Sequence, residues 1–324
     1  MVGFPMTATL PYPQHLLTLS DWPRARTEEV LALAAEIKRR PEAFAGVMTR
    51  RTLLMVFEKP SLRTRLSFET GMTRLGGHAI YYDTRTSPLG SGKESISDTV
   101  KVASRYVDLI MARLYEHADL EEMAAFADVP VINALTNFSH PCQILADLLT
   151  IQEKKGRLDG LKLAFVGDGL NNITHSLLTG CSRLGLSMAV GCPDGEGFRP
   201  DPSVVAEARG EAEGLGQSVV VTADPAEAVA DADIVYVDSW MSYHIPAEER
   251  EARVAALRPY QVDAALMARA RSDAIFMNCL PAMRGFEQTA EVIDGPQSVV
   301  FDQAENRMHV QNAIMVKLLE WRRA

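Results

Sequence analysis

The sequence predicts an α/β protein of two domains, each a parallel sheet flanked by helices, with the C-terminal helix packing back on the first domain. Three observations predict it. Short apolar runs rich in branched residues alternate with helical stretches along almost the whole chain, and such runs suit strands buried on both faces. Strand–helix alternation implies crossover connections and hence parallel strands. The length of 324 residues corresponds to two domains at roughly 150 residues each.

The elements follow in order. A helix is expected over 27–40, with Thr27 as its cap, Glu28 and Glu29 in the first turn, and Lys38, Arg39 and Arg40 in the last. That charge order complements the helix dipole, and Pro41 ends the helix. Strands are expected at 52–57, 79–82, 107–112 and 129–133, with helices at 63–76, 94–105 and 117–126 between them. A junction helix over 141–154 runs into Lys154, Lys155, Gly156 and Gly160. Beyond it, strands are expected at 161–166, 187–191, 218–222, 234–237, 274–277 and 298–301. Helical patterns fall at 172–184, 201–213, 247–257, 262–270 and 304–324. The domains are therefore expected at 1–148, joined by the terminal helix 304–324, and at 149–303.

Composition excludes several function classes. A net charge of −9 argues against a general nucleic-acid binder, whose affinity rests on clustered Lys and Arg. No run of about 18 apolar residues is present, so no membrane span is expected. The first 23 residues hold no Lys or Arg, and Pro5, Pro11 and Pro13 interrupt them, so a secretory signal is not expected. Cys142, Cys181, Cys192 and Cys279 form no CxxC pair and no zinc spacing, which fits reduced thiols in a cytoplasmic protein.

Several element ends carry chemistry. Ser61-Leu62-Arg63-Thr64-Arg65 opens the helix after the first strand, and a helix start with hydroxyls and a guanidinium suits an anion. Residues i and i+2 do not share a helix face, so Arg63 is assigned to the anion and Arg65 to a structural ion pair. His140-Pro141-Cys142-Gln143 opens the junction helix. His140 can donate to a carbonyl oxygen or cap the helix, and Gln143 can accept from an NH2 group. The loop from Gly167 to Asn172 lacks the third glycine of a dinucleotide loop. It reads better as a strand end presenting Asn side chains to a polar ligand. Asp238 and Ser242 follow another strand and can hold an ammonium group, or Asp238 can cap a helix. Cys279 can be a nucleophile, a substrate contact or a small buried residue. Arg113 and Arg307 also fall at element ends.

Taken together, Ser61-x-Arg63-Thr64-Arg65, Gly92-Lys93-Glu94-Ser95, Arg113, His140-Pro141-Cys142-Gln143, Asp238 with Ser242, Cys279-Leu280-Pro281 and Glu305-Asn306-Arg307 resemble the aspartate/ornithine carbamoyltransferase superfamily. The Cys-Leu-Pro motif resembles its ornithine branch. The resemblance runs from about residue 15 to the end. It implies an N-terminal domain for carbamoyl phosphate, a C-terminal domain for the acceptor amine, and a homotrimer or multiple of trimers. It implies no metal or other cofactor. Ser61, Leu62 through its backbone, Arg63 and Thr64 would hold the phosphate. Arg113, His140, Gln143 and Arg307 would bind the phosphate, carbonyl and amide of the carbamoyl group. Asn172, Asp238 and Ser242 would bind the amino-acid end of ornithine, with Tyr243 beside them. Cys279 and the backbone of Leu280 would contact the reacting amine and the carbamoyl NH2.

Three departures from the family pattern stand out. Leu62 replaces a Thr, Asn278 replaces a His, and Tyr243-His244 stand where Met-Gly is usual. A Gly there allows positive φ or close backbone approach, so its loss bears on which amine fits. Putrescine, lysine or a modified ornithine is the alternative acceptor, and a ligand-binding paralogue without catalysis is the alternative class.

Overall fold

A computed structural model of the chain describes residues 15–195, 197–241 and 246–322. The first sheet contains β1 (Thr52–Phe57), β2 (His78–Asp83), β3 (Leu109–Arg113) and β4 (Val131–Leu135), in the order β2-β1-β3-β4. The second contains β5 (Lys162–Val166), β6 (Ser187–Gly191), β7 (Val219–Thr222), β8 (Ile234–Val237) and β9 (Ile275–Asn278), in the order β7-β6-β5-β8-β9. Every pairing in both sheets is parallel.

Helices cross between the strands. The first half has α1 (Arg24–Arg39), α2 (Leu62–Arg74), α3 (Ile96–Ala103), α4 (His117–Phe126) and α5 (Pro141–Lys155). The second has α6 (Asn172–Arg183), α7 (Pro202–Gly214), α8 (Pro225–Val229), α9 (Arg250–Leu257), α10 (Ala264–Met267), α11 (Ala290–Ile293) and α12 (Val300–Trp321). The last of these returns to pack against α1, α2 and α5, as expected from the sequence.

The strands β3, β4, β8 and β9 are buried along their whole length, although β4 and β9 end their sheets. They read as unbroken apolar runs because helices cover both faces. The edge strands β2 and β7 differ, since both are only partly buried and Ile80 and Val220 stand exposed. Burial therefore fails at one edge of each sheet, while the opposite edges, β4 and β9, stay buried beside the bridges Leu16–Ile132 and Phe276–Ser298.

Other expectations need correction. The first helix begins three residues early, at Arg24, with Pro23 at its N-cap, and Thr27 is buried inside it rather than capping it. Pro presets the φ of a helix start without a capping side chain. The expected strand at 298–301 is not one: Ser298 makes a single bridge to Phe276, and α12 begins at Val300. A four-residue apolar run cannot distinguish a strand from a first helical turn. The helix expected over 262–270 shrinks to four residues capped by Asp263. The short helices α8 and α11 carry too few residues to show a period.

One core cluster runs through both halves, joining α1, α5, α6 and α12. Close contact there depends on Gly180 of α6, where a Cβ would meet Ile144 Cγ2 at 2.8 Å and Leu19 Cδ1 at 3.0 Å. The two sheets thus share a packed seam, and their carboxyl ends face one cleft, where parallel sheets bind ligands.

Candidate active site

The cleft is a cavity of about 560 Å3 between the halves. It is lined from the carboxyl ends of β1, β3, β4, β5, β8 and β9, with one residue from α12. The turn after β1 contributes Lys59 to Arg63, β3 ends in Arg113, and α12 adds Arg307. Across from these cations lie Asp238 after β8 and Cys279 after β9.

Each cation is placed by local structure. Ser61 caps α2, its hydroxyl accepting from Thr64 N at 3.3 Å, so the free N–H groups of the first turn open toward the cleft. Arg63 lines the cavity, while Arg65 bonds Glu69 one turn on at 3.0 Å and lies over the Tyr81 ring. The two guanidiniums therefore divide as the helix geometry requires. Thr64 does not line the cavity; it is buried, and its hydroxyl accepts from Arg307 Nη2 at 2.8 Å. Arg307 lies two turns inside α12, not at its start. Arg113 donates through Nε to Lys59 O at 3.2 Å. A register shift opposite Ala112 and Arg113 leaves Ala134 of β4 as the extra, unpaired residue, an irregularity of the kind found beside functional sites.

His140 precedes α5 but makes no capping side-chain bond. Its backbone N–H donates to Ser176 Oγ at 2.8 Å, while its Nδ1 is buried without a protein partner. Burial, reinforced by Arg307, Arg113 and Lys59, holds its pKa well below the usual value. The imidazole is thus neutral and carries a single N–H. Lys59 is lowered to about 8, by burial and then by Arg113.

The opposite wall is acidic and thiol-bearing. Cys279 Sγ donates to Asp238 Oδ1 at 3.1 Å. Burial and the neighbouring Asp238 push the thiol well up, so it is a neutral donor and not a thiolate nucleophile. Burial also raises Asp238 above the ordinary carboxylate value, partly offset by the thiol. Leu280 sits at φ 58, a costly conformation outside glycine, and its N–H is tied to Asn278 Oδ1 at 2.7 Å. Asn278 also donates from Nδ2 to Gln288 Oε1 at 3.0 Å and from its backbone N to Gln303 Oε1 at 3.0 Å.

Ser61, Leu62, Arg63, Arg113, His140, Gln143, Asn172, Asp238, Cys279, Leu280 and Arg307 all line the one cavity. Ser242 and Tyr243, with His244, lie outside the described residues. Asn172 lines the wall and donates to Thr136 O at 2.6 Å, while Asn171 caps α6. Asn171, in the loop expected to present Asn side chains, also lines the cavity, and Lys59, Asn137, Met241 and Met283 line it without having been singled out. Lys59 had a signal, its place two residues before Ser61 on the same turn. The others are brought in only by tertiary folding.

Comparison with known proteins matches this architecture half by half. The model for the carbamoyl-P binding domain of aspartate/ornithine carbamoyltransferase matches residues 14–153. The model for its Asp/Orn binding domain matches residues 159–318. The chain belongs to the aspartate/ornithine carbamoyltransferase family. An ornithine carbamoyltransferase of Anoxybacillus flavithermus is 48% identical over 97% of this chain and 99% of its own. A catabolic ornithine carbamoyltransferase of Halobacterium salinarum is 51% identical over 94% and 99%. The solved ornithine carbamoyltransferase of Pyrococcus furiosus superposes with a TM-score of 0.88 at 46% identity, covering 94% of this chain and 96% of that one.

Proposed function

We infer that the protein transfers the carbamoyl group from carbamoyl phosphate to the side-chain amine of L-ornithine, giving L-citrulline and phosphate. The observation that carries this reading is the single cleft with Arg63, Arg113 and Arg307 on one wall and Asp238 with Cys279 on the other. Full-length relatives of that name support it.

The residue types suit the reaction. A neutral amine attacks the carbamoyl carbon, the new C–N bond forms, and the C–O bond to phosphate breaks. The amine's proton leaves with the phosphate. Negative charge builds first on the carbonyl oxygen and then on the leaving group. Ser61, the Leu62 backbone, Arg63 and Thr64 hold the phosphate, Thr64 acting through its bond from Arg307. Arg113, His140 and Arg307 donate to the developing charge, an effect worth a few kcal/mol per donor. A neutral His140 donates to the carbonyl without adding a fourth charge. Asn172, Asp238, Ser242 and Tyr243 hold the amino-acid end of the acceptor. Cys279 and the Leu280 carbonyl face the reacting amine and the carbamoyl NH2.

We draw the domains at 1–148 with 304–324, and at 149–303, and place the enzyme in the cytoplasm, a reading its four free thiols support. A homotrimer or multiple of trimers is proposed. Exposed Leu62, Leu66, Ile80, Val102 and Tyr106 in the first half offer apolar surface for a second copy. Light scattering at micromolar concentration tests it, and a monomeric mass overturns it.

A panel of ornithine, putrescine, lysine and acylated ornithines with carbamoyl phosphate, scored by ureido product, tests the acceptor. Turnover of ornithine is expected. Product from putrescine with none from ornithine would overturn the reading.

A further inference from the structure

Behind the cleft lies a fully buried carboxylate with no place in the reaction so far. Asp147 sits one turn after Gln143 on α5 and has no exposed surface. Its Oδ1 accepts from Gln143 Nε2 at 2.9 Å and from Gln303 Nε2 at 2.8 Å. Its Oδ2 accepts from the Tyr236 hydroxyl at 2.9 Å. Elements α5, β8 and α12 therefore meet on this one group.

A glutamine amide has an oxygen end and a nitrogen end, and only its partners decide which way it faces. An oxygen that takes two donors admits only the NH2 end of each glutamine. Gln143 must then turn its Oε1 the other way, and Gln143 lines the cleft. Gln303 must likewise turn its Oε1 to the backbone N of Asn278 at 3.0 Å, which roots the Cys279–Leu280 turn. We propose that Asp147 is a positioning residue that sets the polarity of Gln143, presenting an acceptor oxygen to the carbamoyl NH2, and through Gln303 braces the turn on the opposite wall.

This rests on the cleft being the carbamoyl phosphate site. The role requires an acceptor oxygen at position 147, not a charge. Protonation of Oδ2, facing Tyr236, would leave Oδ1 free to accept from both glutamines.

The test compares two stable ligands of equal charge. Phosphonoacetamide replaces the bridging oxygen of carbamoyl phosphate with a methylene group and keeps the NH2. Acetonylphosphonate carries a methyl group in place of that NH2. By calorimetry, the wild type should favour the amide about tenfold, the scale of one hydrogen bond. Asp147→Leu, similar in size but without an acceptor, should reduce that preference to about twofold or less. Asp147→Asn should keep it, because its amide oxygen can still accept from both glutamines. Equal weakening of both ligands in Asp147→Leu would overturn the proposal, as would a loss in Asp147→Asn as large as in Asp147→Leu. If the wild type binds neither ligand, the reading of the cleft itself fails.

If Asp147→Leu does not fold, the wild type still decides the matter. One Gln143 side-chain NH2 proton should exchange slowly with solvent in the free enzyme, because Asp147 Oδ1 holds it. Fast exchange that slows only on adding phosphonoacetamide would mean that Nε2 faces the ligand, and would overturn the assignment.

Discussion

The two walls of the cleft are built on different principles. The carbamoyl phosphate wall places permanent cations on regular elements: a capped helix start for Arg63, a strand end for Arg113 and a helix interior for Arg307. The acceptor wall depends on buried acids, a neutral thiol and a turn at Leu280 held by side-chain bonds. Cations on regular elements need little support, because Arg stays charged in any environment. Acids and thiols in a buried wall respond to every neighbour. The first wall should therefore fail through single deletions, and the second through changes in ionisation and hydrogen bonding.

The largest effect is expected on the first wall. Arg63→Ala removes a guanidinium from the anion site while leaving the cap of α2 intact. Loss of one donor to developing charge costs about 10^2- to 10^3-fold in kcat, with lost carbamoyl phosphate binding in addition. Steady-state kinetics and calorimetry on the folded variant check this. An affinity equal to the wild type would remove Arg63 from the site.

A smaller effect is expected across the cleft. Asp238→Asn should cut kcat/KM for the acceptor by about 10- to 150-fold, the range of a charge-assisted hydrogen bond, with carbamoyl phosphate affinity nearly unchanged. A parallel loss for both substrates would show that the walls are not separable.

Acid should separate the walls further. His140 is held neutral far below 6.5, so carbamoyl phosphate affinity should show no His140 step between pH 8 and 6. Burial raises Asp238 above the ordinary carboxylate value, so on acidification it takes up a proton earlier than an ordinary carboxyl. Corrected to neutral amine, acceptor kcat/KM should then fall up to about tenfold per pH unit below the raised pKa. Asp238→Asn should lack that limb, and a limb that persists there would assign the proton to another group.

The same contrast sets what was legible in sequence. Strand–helix alternation revealed both sheets because continuous apolar runs are the signature of buried parallel strands. It failed at 298–301, where four residues could not tell a strand from a helical turn, and at Thr27, where Pro23 starts the helix without a capping side chain. Arg63 and Arg65 could be sorted by helix geometry alone. Asn137 and Asp147 could not, because their roles come from packing between distant elements. No local pattern distinguishes Asp147 from any other helical Asp; only the arrival of Gln303 and Tyr236 does.

The smallest effect concerns Asn278, where the family pattern has His. Asn278 closes three bonds, to Gln288, Gln303 and the Leu280 N–H. The Gln303 bond uses the backbone and survives any side chain. The other two need one donor and one acceptor, and a neutral imidazole supplies one of each on its two nitrogens. Asn278→His should therefore keep ornithine turnover within about threefold, since no hydrogen bond need be lost. Asn278→Ala leaves Gln288 Oε1 without its donor and frees Leu280 from the bond that holds it at φ 58. An unsatisfied buried group costs about 1–3 kcal/mol, so the Ala variant should melt earlier and lose acceptor turnover more than carbamoyl phosphate affinity. A His variant as impaired as the Ala variant would mean that the wall tolerates only the amide, and that the rest of the turn has adapted to it.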